Sequence, residues 1–314
     1  MSKPPSEHDE LPTRNGYGYG LVELGRERED VVALDADLAG STRGAWFKDE
    51  NPDRWFNMGI AEQDMMVTAA GMASTGKTAF ASTFAIFTER GFEQVRNQIA
   101  RNDLNVTVAG SHAGLITGQD GESAQAIEDV SIYRTLPNMK VISPGDAVEA
   151  EKYVEKIADD DSPVYFRLIR EDVPVVFDDD HDPEIGEGTV MRDGDDVTVI
   201  AHGAMLHEAI EAGEKLADEG IDARVINMPS IKPLDDDLVV EAAEETQGIV
   251  TAEDHSVIGG LGSAVAETVT ERCPVPIRRV GVDDTFGESG LPDELYEAYG
   301  LTAEDIVESA KELL

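Results

Sequence analysis

The residues best placed to do chemistry lie between Trp55 and Arg101, in the stretch WFNMGIAEQDMMVTAAGMASTGKTAFASTFAIFTERGFEQVRNQIAR. An aromatic and apolar run breaks at Gly59, Glu62 follows three residues on, and an apolar-rich helical pattern continues toward Thr75. Glu62 therefore belongs in the first turn of a helix, at the mouth of a strand-to-helix junction. A small-residue strand then leads to Phe84 and Phe87, with Arg90 three positions further along. A glutamate at a helix start also complements the helix dipole, and a phenylalanine pair at helical spacing commonly packs in a core. In this order, however, they set a carboxylate beside a flat aromatic wall, which is what a heteroaromatic cofactor needs.

These residues need a scaffold. After a loose, polar arm over residues 1–12, the pattern predicts a helix over 17–28 and then the buried strand VVALDADL. Strands and helices alternate from there: WFNMG, the helix opening at Glu62, TAFAST, a helix over 87–100, NVTVAGS, a helix through DGESAQAIEDVSIYRTL, KVISPG, the helix VEAEKYVEKIA and PVYFRLI. Such alternation gives a mostly parallel sheet with helices on both faces, and ligands bind beyond the carboxyl ends of its strands. Asp37, Glu62, His112 and Arg170 all fall there. Residues 171–188 turn acidic, with Pro and Gly, and mark a boundary. A second unit then alternates from VTVIAHG through MLHEAIEAGEKLADEG, DARVINMPSI, LDDDLVVEAAEET, GIVTAED, GGLGSAVAETVTER and IRRVGV to a helix over 302–314. The expected fold class is α/β: two consecutive α/β domains with mostly parallel sheets, over 13–175 and 188–314.

The 314 residues include 65 acidic and 25 basic ones, a net charge of −40. The acidic residues are interleaved with apolar segments, so they describe an acidic surface on a folded protein and not a disordered tail. This is the pattern of halophilic proteins, whose self-repulsion is relieved when salt screens it. It argues against nucleic acid as a partner, since neutralising phosphates takes Lys and Arg. No apolar run reaches the ~20 residues of a membrane span. The N-terminus lacks a secretory pattern, and the single Cys273 cannot form an internal disulfide, so a reducing cytoplasm is the expected compartment. His8, His181, His202, His207 and His255 show no metal-ligand spacing, and His255 is expected at an interface. The turn Gly259-Gly260-Leu261-Gly262 suits tight strand-to-helix packing better than a phosphate cradle.

The segments NMGIAEQDM and ASTFAIF, followed by SHAGLITGQDGESAQAIEDVSIYRTLPN, resemble the pyrimidine-binding domain of transketolase, a thiamine-diphosphate enzyme, and the resemblance continues to the C-terminus. It implies that Glu62 is the catalytic carboxyl, hydrogen-bonding the cofactor's aminopyrimidine ring nitrogen. Phe84 and Phe87 would be the ring platform, with Arg90 and Asp37 as further cofactor contacts. Arg90 stands where full-length transketolases commonly carry an aromatic, an arrangement similar to that of deoxyxylulose-phosphate synthases. Arg14, Ser41, His112 and Arg170 match the family's sugar-phosphate contacts, and guanidinium forks pair bidentately with phosphate. Asp120 matches an aspartate on a donor-sugar hydroxyl. Four positions on, Ala124 replaces the family's usual histidine, which leaves Gln125 or a partner-chain group as the substitute. Arg167 reads as an ion-pair partner.

The family's Gly-Asp-Gly motif and distal Asn, oxygen ligands for the Mg²⁺ that holds the cofactor's diphosphate, do not occur in the sequence. The resemblance is therefore to the C-terminal subunit of a split transketolase, transferring a two-carbon ketol unit between sugar phosphates. It implies an N-terminal subunit that brings the diphosphate and Mg²⁺ site, and homodimer contacts within a heterotetramer. The second domain would serve assembly more than chemistry. The alternatives are the beta subunit of a 2-oxo acid dehydrogenase and a non-catalytic scaffold subunit.

Overall fold

A computed structural model describes residues 3–314. Twelve strands run in chain order: β1 (Val31–Asp35), β2 (Trp55–Asn57), β3 (Thr78–Phe84), β4 (Val106–Ser111), β5 (Lys140–Ile142), β6 (Val164–Arg167), β7 (Thr189–Arg192), β8 (Val197–Ala201), β9 (Ala223–Asn227), β10 (Ser230–Lys232), β11 (Ile249–Ser256) and β12 (Ile277–Val282). They form a seven-stranded sheet, ordered β10-β5-β6-β4-β3-β1-β2, and a five-stranded sheet, ordered β12-β11-β8-β9-β7. All pairings are parallel except β10 with β5 and β7 with β9, each at a sheet edge. The central strands read as near-continuous apolar runs because helices cover both faces. The helix Met205–Asp218 shows the complementary helical period, burying Met205, Leu206, Ala209, Ala212, Gly213 and Leu216.

Four expectations need correction. The N-terminal arm is not loose from Asp9 onward, because Leu11 N bonds Val173 O at 2.9 Å, Val175 N bonds Asp9 O at 2.9 Å, and Leu11 is buried. The helix expected through DGESAQAIEDVSIYRTL shrinks to Asp129–Arg134, preceded by a 3₁₀ segment, Leu115–Asp120. Between the two helical segments the chain turns at 121–125, and Ala126 is then held by a bridge to Ala113 and by Gly114 N, which bonds its carbonyl, so no helix runs through. The helix expected over 87–100 is a run of changing pitch, including a π segment, Val95–Ile99. Finally, the DARVINMPSI strand divides: β9 stays in the second sheet while β10 crosses to extend the first. Two helical turns, Ala39–Thr42 and Gly44–Glu50, and the helix Pro292–Tyr299 were not anticipated.

The two sheets are locked together by buried polar groups. Arg167, at the end of β6, gives Nε to Asp129 at 2.8 Å and Nη2 to the Asp254 carbonyl at 2.8 Å. The Asp254 carboxylate accepts the backbone N–H groups of Leu115 (2.7 Å) and Ile116 (3.1 Å) and the Tyr296 hydroxyl (3.1 Å). Gly114 permits this approach: a β-carbon there would lie 2.2 Å from an Asp254 oxygen. Arg167 is thus an ion-pair partner as expected, but it is buried and not on the surface.

Candidate functional site

Four site residues follow the carboxyl ends of parallel strands: Asp37 after β1, Glu62 after β2, His112 after β4 and Arg170 after β6. Glu62 is the first residue of the helix Glu62–Ala73 and is only 5% exposed. Its Oε1 accepts Arg90 Nη1 at 2.8 Å, and the same guanidinium lies 4.3 Å from the Phe87 ring centroid. One planar cation thus spans a carboxylate and an aromatic face. Phe87 stacks on Phe84 at 5.4 Å and 12°, and Phe84 stacks on His112 at 3.7 Å and 20°. The register of β3 against β4 causes the second contact, because Phe84 pairs with Ser111 and delivers His112 alongside the ring. Both phenylalanines are half-buried. Phe84, expected as half of an open platform, is instead the link between Phe87 and the histidine.

Beyond His112 the row opens into a cleft of about 470 Å³ whose lining includes Arg14, Ser41, Arg43, Arg170, Glu171 and Asp172. Arg14 Nη1 reaches His112 Nε2 at 3.4 Å and the Ser41 carbonyl at 3.1 Å, so Ser41 contributes its backbone oxygen to this contact. His112 has φ +58°, and its Nδ1 lies 2.9 Å from Ser111 Oγ. Burial, then the charges of Arg14, Arg170 and Arg43, push the His112 imidazolium down to about 3, so the ring is neutral. Burial and the neighbouring arginines also bring Arg14 down to about 10. Arg170 bonds Asp120 at 3.0 Å and Glu171 at 2.6 Å, which brings Asp120 to the cleft's edge.

The structure does not join every expected residue to this row. Asp37 is exposed at φ +65° and, among the described residues, accepts a side-chain hydrogen bond from Asn57 Nδ2 alone, at 2.9 Å. The neighbouring Asp35 is buried and bonds Leu38 N and Thr42 Oγ1, fixing the turn that carries Ser41 and Arg43. Gln125 does not replace the missing histidine, because its buried amide donates to the carbonyls of Leu115, Gly118 and Glu288. It braces the loop holding Asp120 against the second sheet. His255 does lie at an interface, that between the two sheets, where its Nε2 accepts Ser131 N at 3.3 Å. The Gly259–Gly262 turn is no phosphate cradle: the Glu253 carboxylate already accepts Leu261 N (2.8 Å) and Gly262 N (2.9 Å). Two residues escaped sequence reasoning. Arg43 joins the cleft through a left-handed turn that no periodicity marks. Glu89 sits beside Arg90, its carboxyl raised to about 8 by burial and by Glu128 and Asp129.

Residues 9–175 match the model of the transketolase pyrimidine-binding domain and residues 186–306 that of the transketolase C-terminal domain. An α/β chain that sets a buried carboxylate and stacked rings at the mouth of its first sheet is thereby placed: the chain belongs to the transketolase family. It is 51% identical to a solved chain titled "Split gene transketolase, inactive beta4 tetramer", with a TM-score of 0.91 over 97% of this chain and 98% of that one. It is 42% identical to a subunit of the 6-deoxy-6-sulfo-D-fructose transketolase of Clostridium sp. strain MSTE9, over 96% of this chain and 94% of that one. Against human transketolase it is 37% identical over 98% of its own length, and it spans 49% of that protein.

Proposed function

We propose that this chain is the C-terminal subunit of a split, thiamine-diphosphate-dependent transketolase, moving a two-carbon ketol unit between sugar phosphates together with an N-terminal subunit. The observation that carries this reading is the Arg90 bridge: a flat, cationic hydrogen-bond donor already satisfies Glu62 and covers Phe87. Those are the two demands of an aminopyrimidine, so the residues present fit the group. Thiamine diphosphate supplies the electron sink for breaking and making the carbon–carbon bond. Glu62 would hold a proton at the pyrimidine nitrogen, and Phe87, backed by Phe84, would orient the ring. Arg90 would swing aside, which its half-exposed side chain allows. Arg14, Arg170, His112 and Ser41 would hold the substrate's phosphate, and Asp120 a donor hydroxyl. His112, being neutral, can donate or accept a hydrogen bond without adding charge. The partner would bring the Mg²⁺ and diphosphate ligands, in a heterotetramer with homodimer contacts.

The test is reconstitution with a subunit carrying the Gly-Asp-Gly motif. Thiamine diphosphate and Mg²⁺ should change the near-ultraviolet circular dichroism of the pair, and ketol transfer should need both subunits. Decarboxylation of a 2-oxo acid with a lipoyl acceptor, or no cofactor signal at all, would sink the reading.

The acidic surface fits a salt-rich cytoplasm. Apart from Asp35, Glu62, Asp129, Asp146, Glu149, Glu253 and Asp254, the carboxylates lie at least partly in contact with solvent. Melting should rise by many degrees from dilute buffer to molar KCl; equal melting temperatures would refute the halophilic reading.

A further inference from the structure

We propose that Arg43 is a specificity-determining residue that makes the cleft select substrates ending in a doubly charged phosphate over those ending in a singly charged or neutral group; this rests on reading that cleft as the substrate's phosphate subsite. Arg43 stands between the turns Ala39–Thr42 and Gly44–Glu50 at φ +70°. A residue with a β-carbon pays about 1 kcal/mol or more to stay in that region, and such strain gathers at binding sites. The guanidinium is held in place. Its Nε donates to Asn15 Oδ1 at 2.6 Å, its Nη1 to the Gly40 carbonyl at 2.8 Å, and it lies 5.4 Å from the Trp46 ring centroid. Gly18 makes the room, since a β-carbon there would come within 2.6 Å of Arg43 Cβ. A side chain already ordered loses little freedom when an anion arrives.

The charges in the cleft are unequal in availability. Arg170 is neutralised by Asp120 and Glu171. Neither Arg14 nor Arg43 is in an ion pair among the described residues, and Arg14 Nε is buried without a partner. His112, held neutral by burial and then by these arginines, adds hydrogen bonding but no charge. Two available guanidiniums thus face a space whose rim carries Glu171 and Asp172. Coulomb attraction scales with ligand charge. A dianion gains twice what a monoanion gains from the arginines, and the −40 chain repels any anion that lacks such a local counter-charge.

The test uses this chain with inorganic phosphate at pH 8, where it is mostly dianionic, and methanesulfonate, a monoanion, titrated by calorimetry at constant ionic strength. Wild type should bind phosphate at least tenfold more tightly than methanesulfonate. Arg43→Gln should weaken phosphate about tenfold but methanesulfonate only about threefold, because the attraction scales with ligand charge, with Arg43→Lys between. Arg43→Gly, which suits φ +70°, should melt like wild type yet bind phosphate as weakly as Arg43→Gln, which excludes misfolding as the cause. In the reconstituted complex, Arg43→Gln should raise KM about tenfold for a phosphorylated aldose acceptor, with kcat and the unphosphorylated acceptor unaffected. Wild-type phosphate affinity in Arg43→Gln would overturn the assignment while leaving the subsite standing. Failure of wild type to bind either anion would overturn the subsite itself.

Discussion

Replacing Glu62 by Gln separates the structural work of this side chain from its proposed chemical work. Structurally, Glu62 makes one described side-chain bond, to Arg90, whose side chain is 52% exposed. With its guanidinium half open to water the pair contributes about 1 kcal/mol, and Gln keeps an oxygen that can accept the same donor with no buried charge to desolvate. Losing a negative charge at the first helical position costs a further ~0.3–1 kcal/mol through the helix dipole. The sum is small beside the ~5–15 kcal/mol that separates folded from unfolded states, so the variant folds. Chemically, Gln cannot exchange a proton with a ring nitrogen, and positioned proton transfer is worth roughly 10²–10⁴ in rate. Turnover of the reconstituted pair should therefore fall by at least ~100-fold, about 2.7 kcal/mol on the barrier. The assay is ketol transfer at saturating thiamine diphosphate, with circular dichroism and a denaturant curve on the same samples. A variant that stays within about tenfold of wild type would remove Glu62 from the chemistry. One that fails to fold would show that its carboxylate is structural.

Two further predictions concern stability. Arg167→Met leaves Asp129 buried beside only the Tyr165 hydroxyl, and should cost about 3–5 kcal/mol by urea denaturation in high salt; Arg167→Met with Asp129→Leu should recover part of it, and no recovery would deny the pair. The pH dependence carries two opposing contributions. His112, held near 3 against an ordinary 6.5 by burial and by Arg14, Arg170 and Arg43, binds fewer protons folded than unfolded, so its stabilising effect is complete above about 6.5 and lost as pH falls toward 3. Glu89, raised from 4.5 to about 8 by burial, Glu128 and Asp129, does the reverse, its effect being complete below 4.5 and lost as pH rises through 8. Across pH 3 to 9, stability should therefore lose its pH dependence between about 3 and 6.5 in His112→Gln and between about 4.5 and 8 in Glu89→Gln. Curves parallel to wild type would refute either assignment.

The alternation of apolar strands with amphipathic helices was enough to read two largely parallel α/β units, because the 2.0 and 3.6 periods of buried side chains are local properties of the chain. The positions of Glu62, His112 and Arg170 were legible for the same reason: each ends or follows a strand, and the carboxyl ends of parallel strands share one edge. Where local periodicity gave way to long-range bonds, the sequence was silent or misleading. The 121–128 segment has helical composition, yet Ala113 and Asp254 capture its backbone and that of its neighbours from afar. Gln125 looked available for substrate until its amide proved committed to the carbonyls of Leu115, Gly118 and the distant Glu288. The departure of β10 to the first sheet is a pairing across nearly ninety residues, which no local pattern encodes. The stacking of Phe84 on His112 and the entry of Arg43 into the cleft likewise depend on strand register and on one left-handed residue. The chain's own letters therefore determined which groups could act and on which edge they would stand. Only tertiary packing decided which of them meet, because hydrogen bonds and charges act over a few ångströms of space, whatever the distance along the chain.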